Sequence, residues 1–388
     1  MTTENVTTGV VFADRHFLAP DYLPGERLVD REVELANVEY AVNPMIFGRE
    51  PDNLLVHGPR GVGKSTCVRY SARRQTRYAS EQGITAGRAY VDCLAASTDT
   101  KASKAIATQL NDSTVTGVEI PDSGLSTTEY HDRLLTVLDR RYDAAVFVLD
   151  RIDWLKAGRL PLVFEDGPES CIVGVIGIVD GDPDSSPLGT EVRGVLGTEY
   201  RFDPYDVDQL VDILERRRDA FVDGALETGA LLRAAELAGD PYGDAERAIA
   251  MLRLAGDAVR DRGDASVGPV DVEAAADGVA SVRTRDVLTA LADHARLVVL
   301  ALASLTEDAD TDALRTMRVY SAYIDLCRRR GERPRSERRV QGFLNDLAGL
   351  GLTEQATHWG GRADGNYKTH RLSQSPDVVF RALDDPSR

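Results

Sequence analysis

Apolar positions in the first half of the chain fall into short, almost unbroken runs: Leu54–Val56, Ala89–Val91, Ala145–Leu149 and Cys171–Ile178. Runs of this length predict strands buried on both faces. Between them the period changes to that of a helix. Leu28, Val33, Leu35, Val38 and Ala41 suit one face over residues 27–41, and helices are expected over 67–75, 101–110 and 131–142, with a polar segment at 112–128. Strands alternating with helices predict an α/β domain with a parallel sheet covered on both faces, its ligand at the carboxyl ends of the strands. After Asp203-Pro204-Tyr205 the pattern is helical throughout, over 206–222, 225–238, 243–261 and 269–279. A second join is expected at Arg283–Asp286, followed by helices over 286–306, 314–330 and 336–350. Strands at 352–356 and 367–372 flank a Gly-rich tip at Gly360–Gly365. Three helices and a β-hairpin predict a winged helix. Residues 1–18 lack periodicity and are expected to form a loose arm. The expected domains are therefore 19–204, a helical domain at 205–283 and a winged helix at 284–388.

The first strand leads into Gly58-Pro59-Arg60-Gly61-Val62-Gly63-Lys64-Ser65-Thr66, which satisfies G-x-x-x-x-G-K-[ST] at each fixed position and is followed by a helix. That context makes a phosphate-binding loop: glycines let backbone N–H groups converge on phosphate oxygens, and the helix N-terminus adds a positive dipole end. Lys64 is expected to reach the β- and γ-phosphates and Ser65 to hold Mg²⁺. The strand 145–150 ends in Asp150, placed to bind the same Mg²⁺ as a Walker-B aspartate. ATP or ADP with Mg²⁺ is the expected ligand.

Charge changes the picture in two ways. The formal net charge is −17, yet the chain has only five lysines, Lys64, Lys101, Lys104, Lys156 and Lys368. An acidic, lysine-poor surface that keeps arginine fits a high-salt cytoplasm, where self-repulsion is screened. Residues 286–388 carry 15 basic and 15 acidic residues, so the whole excess of acid lies before them. A relatively basic end on an acidic protein points to nucleic acid. Nine arginines lie between Arg315 and Arg339. Ser336 is the expected N-cap of a recognition helix, with Arg335, Arg338, Arg339 and Gln341 near its start and Val340, Phe343, Leu344 and Leu347 toward the core. Arginine and glutamine can read guanine and adenine edges. Arg362 and Lys368 on the wing suit phosphate or minor-groove contact. Cys67, Cys93, Cys171 and Cys327 are too scattered for a metal site and read as core residues of a reducing compartment. With no signal peptide and no apolar run near ~20 residues, a soluble, cytoplasmic, nucleoid-associated protein without membrane contact is expected.

The ordered set of motifs resembles the archaeal origin recognition complex / cell division control initiators, which are AAA+ ATPases carrying a winged helix. The resemblance rests on Asp21-Tyr22-Leu23-Pro24, Arg49-Glu50-Pro51-Asp52-Asn53-Leu54, Val148-Leu149-Asp150-Arg151-Ile152-Asp153, Val175-Ile176-Gly177-Ile178, Phe202-Asp203-Pro204-Tyr205-Asp206-Val207-Asp208-Gln209-Leu210 and Ser336-Glu337-Arg338-Arg339-Val340. It implies an AAA+ domain, a helical lid and a winged helix, with Asp180, Tyr205 and Arg247 also at the nucleotide. It further implies duplex DNA at replication-origin repeats as partner, with the replicative MCM helicase and sibling initiators beyond it, and a monomer that assembles on DNA.

The departures from the family pattern concern hydrolysis. The Glu that usually follows the Walker-B Asp is Arg151. The usual Asn of sensor 1 is Asp180, and the Gly-Asp-Ala-Arg of sensor 2 is Gly243-Asp244-Ala245-Glu246 with Arg247 one position on. Arg193 alone stands in the arginine-finger region. No catalytic residue is assigned: a cation cannot serve as general base, and loss of that help slows a reaction about 10²–10⁴-fold. Arg151 is instead a candidate to pair with the γ-phosphate. The reading is an ATP-binding initiator with weak or lost hydrolysis. An ATP-gated DNA-binding regulator and an interaction scaffold with a structural nucleotide remain the alternatives.

Overall fold

The computed structural model describes residues 10–19, 22, 28, 30–155, 160, 167–185, 188–239, 243–307, 313–359 and 366–383. It divides into two compact units, 1–276 and 277–388.

In the first unit, five parallel strands, β1 (Leu54–Gly58), β2 (Ala86–Asp92), β3 (Ala144–Asp150), β4 (Ile172–Asp180) and β5 (Thr198–Arg201), form one sheet in the order β2-β3-β4-β1-β5. The unbroken apolar runs have a direct cause, because alternate residues face opposite helical layers. Leu55, Phe147, Leu149, Val175 and Val179 pack with Ile106, Leu110, Leu134 and Leu138 of the helices Asp99–Leu110 and Thr127–Arg141. Leu54, Val56, Val146, Val148, Ile176 and Ile178 pack with Val38, Val42, Val68 and Ala72 of the helices Glu32–Val42 and Lys64–Glu81. Each such side chain taken from water stabilises the fold by about 1.5–3 kcal/mol. β3 is buried along its whole length. β1 lies between β4 and β5, so Gly58 is in register with Asp180 at the carboxyl edge.

The helices Val207–Glu215, Thr228–Gly239 and Ala245–Arg262 follow, the first closed by a capping box between Asp206 and Gln209. The arm expected to be loose is docked here over residues 10–18. Val11 and Leu18 are fully buried, Ala13 donates its N–H to Ala220 O (2.9 Å), and Arg15 forms a two-pronged pair with Asp257 (2.9 and 2.6 Å). Phe12 lies so close to Gly256 that a Cβ there would meet its ring at 2.4 Å.

The join expected at 283–286 has regular structure. A single helix, Pro269–Ala290, runs through it and through the boundary between the units. In the second unit the helices Asp293–Glu307, Thr316–Arg329 and Glu337–Gly349 precede a ribbon of β7 (Thr353–Trp359) and β8 (Asn366–Leu372). Two elements went unanticipated: the short strand β6 (Leu314–Arg315), which pairs with β8 to give the order β6-β8-β7, and a closing helix, Pro376–Ala382. The four cysteines are free and buried. No described helix is long and apolar enough to cross a membrane.

Candidate nucleotide site and nucleic-acid interface

The loop between β1 and its helix bends at Gly58, Gly61 and Gly63, whose φ values are +137°, +75° and +87°. Side chains are excluded there for steric reasons as well. A Cβ on Gly58 would meet Phe202 O at 2.3 Å, and one on Gly61 would meet Asp244 Oδ1 at 1.9 Å. The helical domain thus rests against the loop, and Ala245 N–H donates to Gly61 O (3.0 Å). Tyr205 sits beneath Gly63, where a Cβ would lie 2.9 Å from its hydroxyl. Arg31, a buried residue that no sequence signal marked, fixes that ring. Its guanidinium lies 3.9 Å from the Tyr205 centroid and donates to Asp203 O (2.6 Å) and Glu34 Oε1 (2.5 Å).

Lys64 is only 4% exposed, and its ammonium donates to Gly58 O (2.8 Å), Pro59 O (2.7 Å) and Asp180 Oδ1 (2.8 Å). Asp180, expected beside the nucleotide, is therefore held on the loop's lysine. Asp150 is buried and accepts hydrogen bonds from Ser65 and from the Tyr90 hydroxyl; burial pushes its carboxyl above the ordinary range against those donors. Asp153, one turn on, is pushed up to about 6, mainly by burial and further by Asp180 and Asp150. Ser65 and Asp150 together offer the hydroxyl and the carboxylate that Mg²⁺ takes alongside phosphate oxygens, so their proximity fits Mg·nucleotide.

Arg151 lies beside this site, where its charge acts on Asp150. It adopts a left-handed backbone (φ +56°) and its guanidinium pairs with Asp92, the last residue of β2. Pairing of Arg151 with a γ-phosphate would require this ion pair to open. Arg60 pairs with Glu246 at 3.3 Å, and Arg193 pairs with Glu199 (2.5 Å) and with Asp184. Arg247 donates its backbone N–H to Asp244 Oδ1 (2.8 Å), the N-cap of its helix, and is half-buried. Val62 is buried within the sheet core, whereas Pro59 and Thr66 are partly exposed.

In the winged helix, Ser336 occupies the N-cap position of the helix Glu337–Gly349 with an extended backbone, though its side chain makes no capping bond. Val340 and Leu344 are fully buried with Leu347, and Phe343 nearly so, leaving Arg335, Arg338, Arg339 and Gln341 on the exposed face. Arg339 stacks over Phe343 at 4.7 Å. Tyr323 sets the start of this face. Fully buried, its hydroxyl accepts the Arg335 backbone N–H (3.0 Å) and bonds His294 Nδ1 (2.8 Å). On the ribbon, Lys368 donates to Asn345 Oδ1 (3.1 Å) and Gln355 Oε1 (3.3 Å), tying the wing to the recognition helix. Arg315 stacks over Tyr367 at 3.9 Å, and His358 stacks on the same ring at 5.3 Å. Trp359 is 72% exposed at the end of β7. Arg362 lies outside the described residues.

Comparison with known proteins agrees with this architecture. Residues 27–165 match the AAA ATPase domain, 211–277 the Cdc6 AAA+ ATPase-type lid domain and 286–382 the Cdc6 C-terminal winged helix domain. The chain is 33% identical to ORC1-type DNA replication protein 9 of Haloarcula marismortui, over 96% of this chain and 91% of that one. It is 31% identical to ORC1-type DNA replication protein 4 of Halobacterium salinarum, over 97% and 93%. The structure of the Aeropyrum pernix ORC1 protein in complex with DNA superposes with a TM-score of 0.78 at 31% identity, covering 97% of each chain. With three ordered domain matches and this identity along nearly its full length, the chain belongs to the Cdc6/ORC1 family of DNA replication initiators, AAA+ proteins with a lid and a C-terminal winged helix.

Proposed function

We propose that this chain is an origin-binding initiator that takes ATP or ADP through Gly58–Thr66 and grips duplex DNA with its winged helix. The observation that carries the reading is the recognition-helix face. Arg335, Arg338, Arg339 and Gln341 stand exposed over a core of Val340, Leu344 and Leu347, in a chain that aligns over nearly its full length with an ORC1 protein solved on DNA. Mg²⁺ would be held by Ser65 and Asp150, with Tyr205 and Arg247 beside the nucleotide. Lys368 acts from the wing, and Arg362 is expected to act with it. The origin's repeats set the site on which monomers assemble, and the MCM helicase and sibling initiators are the partners beyond DNA. Hydrolysis is slow or absent, because the residue after Asp150 is an arginine already paired with Asp92.

The deciding experiment selects fragments from sheared genomic DNA with the purified protein in molar KCl, with and without ATP, followed by sequencing. Recovery of one or a few intergenic loci bearing inverted repeats is expected. Recovery of many promoters would instead mean a regulator, and no enrichment above input would leave a protein-docking winged helix. Steady-state ATP turnover equal to that of a relative with an intact Walker-B Glu would overturn the reading of hydrolysis.

A further inference from the structure

We propose that Asp180 is an internal counter-ion that competes with the nucleotide for Lys64, so that loading the site requires this pair to open. The inference rests on the reading of Gly58–Thr66 as a nucleotide site and adds how that site is regulated.

Three observations carry it. All three ammonium hydrogens of Lys64 have acceptors: two loop carbonyls and Asp180 Oδ1 at 2.8 Å. The sheet sets two of these acceptor residues side by side. Gly58 and Asp180 are register partners of β1 and β4, and the register is closed by Gly181 N–H to Gly58 O (2.8 Å) and Gly58 N–H to Gly181 O (3.2 Å). Finally, the partners differ in exposure, Lys64 at 4% and Asp180 at 41%. The carboxylate can swing into water, whereas the lysine cannot follow. Once it swings, a buried, uncompensated ammonium remains, which is an anion site. The carboxylate then still lies near the phosphates and repels them. An asparagine at this position would keep a hydrogen-bond acceptor for Lys64 and remove that charge.

The test is calorimetric titration of the full chain with Mg·ATP, comparing wild type with Asp180→Asn and Asp180→Ala. Both variants are expected to bind about tenfold tighter or better, since removing a like charge a few ångströms away has that scale at intermediate dielectric. The gain should shrink between about 0.15 M and about 1 M KCl, as the screening length falls from ~8 to ~3 Å. Thermal melts give a second readout. Without nucleotide the variants should unfold at lower temperature than wild type, and with ATP they should gain more. Unchanged or weaker binding in both variants would overturn the proposal, the weaker case meaning that Asp180 is itself a ligand. The parent reading fails differently: no binding heat in wild type or variants, and none distinguishing them from Lys64→Ala, would remove the nucleotide site and the competition together.

Discussion

Around the phosphate loop, four of the five cations that the sequence marks near the nucleotide, all but Arg247, are held by acids of the same chain. Lys64 is held by Asp180, Arg60 by Glu246, Arg151 by Asp92, and Arg193 by Glu199 and Asp184. At the start of the recognition helix, Arg335 and Arg338 are exposed and pair with no acid among the described residues. The same residue types therefore meet opposite surroundings. A self-paired cation must lose a partner before it takes a phosphate; an unpaired one loses only water and counterions. The difference argues for a nucleotide end whose occupancy is restrained and a DNA end that is ready to bind.

The contrast can be broken most forcefully through the core beneath the DNA face. Leu344→Ala removes a fully buried side chain and should cost about 2–5 kcal/mol. Retention on DNA should fall in an electrophoretic shift assay while calorimetric ATP binding persists; joint loss would show that the two ends are not separable. Next comes Arg338→Ala, expected to weaken DNA binding by about 1–3 kcal/mol at one base position if it reads an edge. A uniform loss with a salt slope lower by about one would assign it to phosphate.

Acidity should separate the ends by sign. Buried His370, its ring bonded to Thr316 Oγ1 (3.0 Å), is lowered from 6.5 to about 4, first by burial and then by Lys368. The unfolded chain takes up this proton first, so stability is lost as pH falls from 6.5 toward 4. Asp153 behaves oppositely. Raised from 3.8 to about 6, it keeps its proton in the folded state, so its contribution declines as pH rises from 3.8 to 6. Melting temperatures across this range should flatten in opposite directions for His370→Gln and Asp153→Asn. The smallest effect is expected for Arg60→Ala, whose pair with Glu246 is 43% and 44% exposed. Its stability change should stay below about 1 kcal/mol, and a larger one would mean that this pair holds the lid.

The parts of this molecule legible in its sequence are those set by local pattern. The strand–loop–helix around Gly58–Thr66 and the buried stripe Val340, Phe343, Leu344 and Leu347 follow from spacing alone. Partners came from elsewhere. Asp180 reaches Lys64 only because β4 lies beside β1, a pairing across 116 positions that the order of strands in sequence does not give. Arg151 meets Asp92 because β2 adjoins β3. The two-residue β6 is too short to carry a period, and the helix that continues through 283–286 was not anticipated because nothing in composition distinguishes a bend from a helix that continues. The role of Tyr323 depends on a hydroxyl whose partners lie 12 and 29 positions away.

The docked segment at residues 10–18 bears on how the protein is made. Arg15 and its partner Asp257 are separated by 242 positions. At ~5–20 residues per second of synthesis, the segment leaves the ribosome roughly 12–50 s before its receptor surface has been translated. Throughout that interval Val11, Phe12 and Leu18 have nothing of their own to cover them. Co-translational folding of the parallel sheet can proceed in the meantime, but the segment at 10–18 is among the last parts of this unit to find its place although it is made before the sheet.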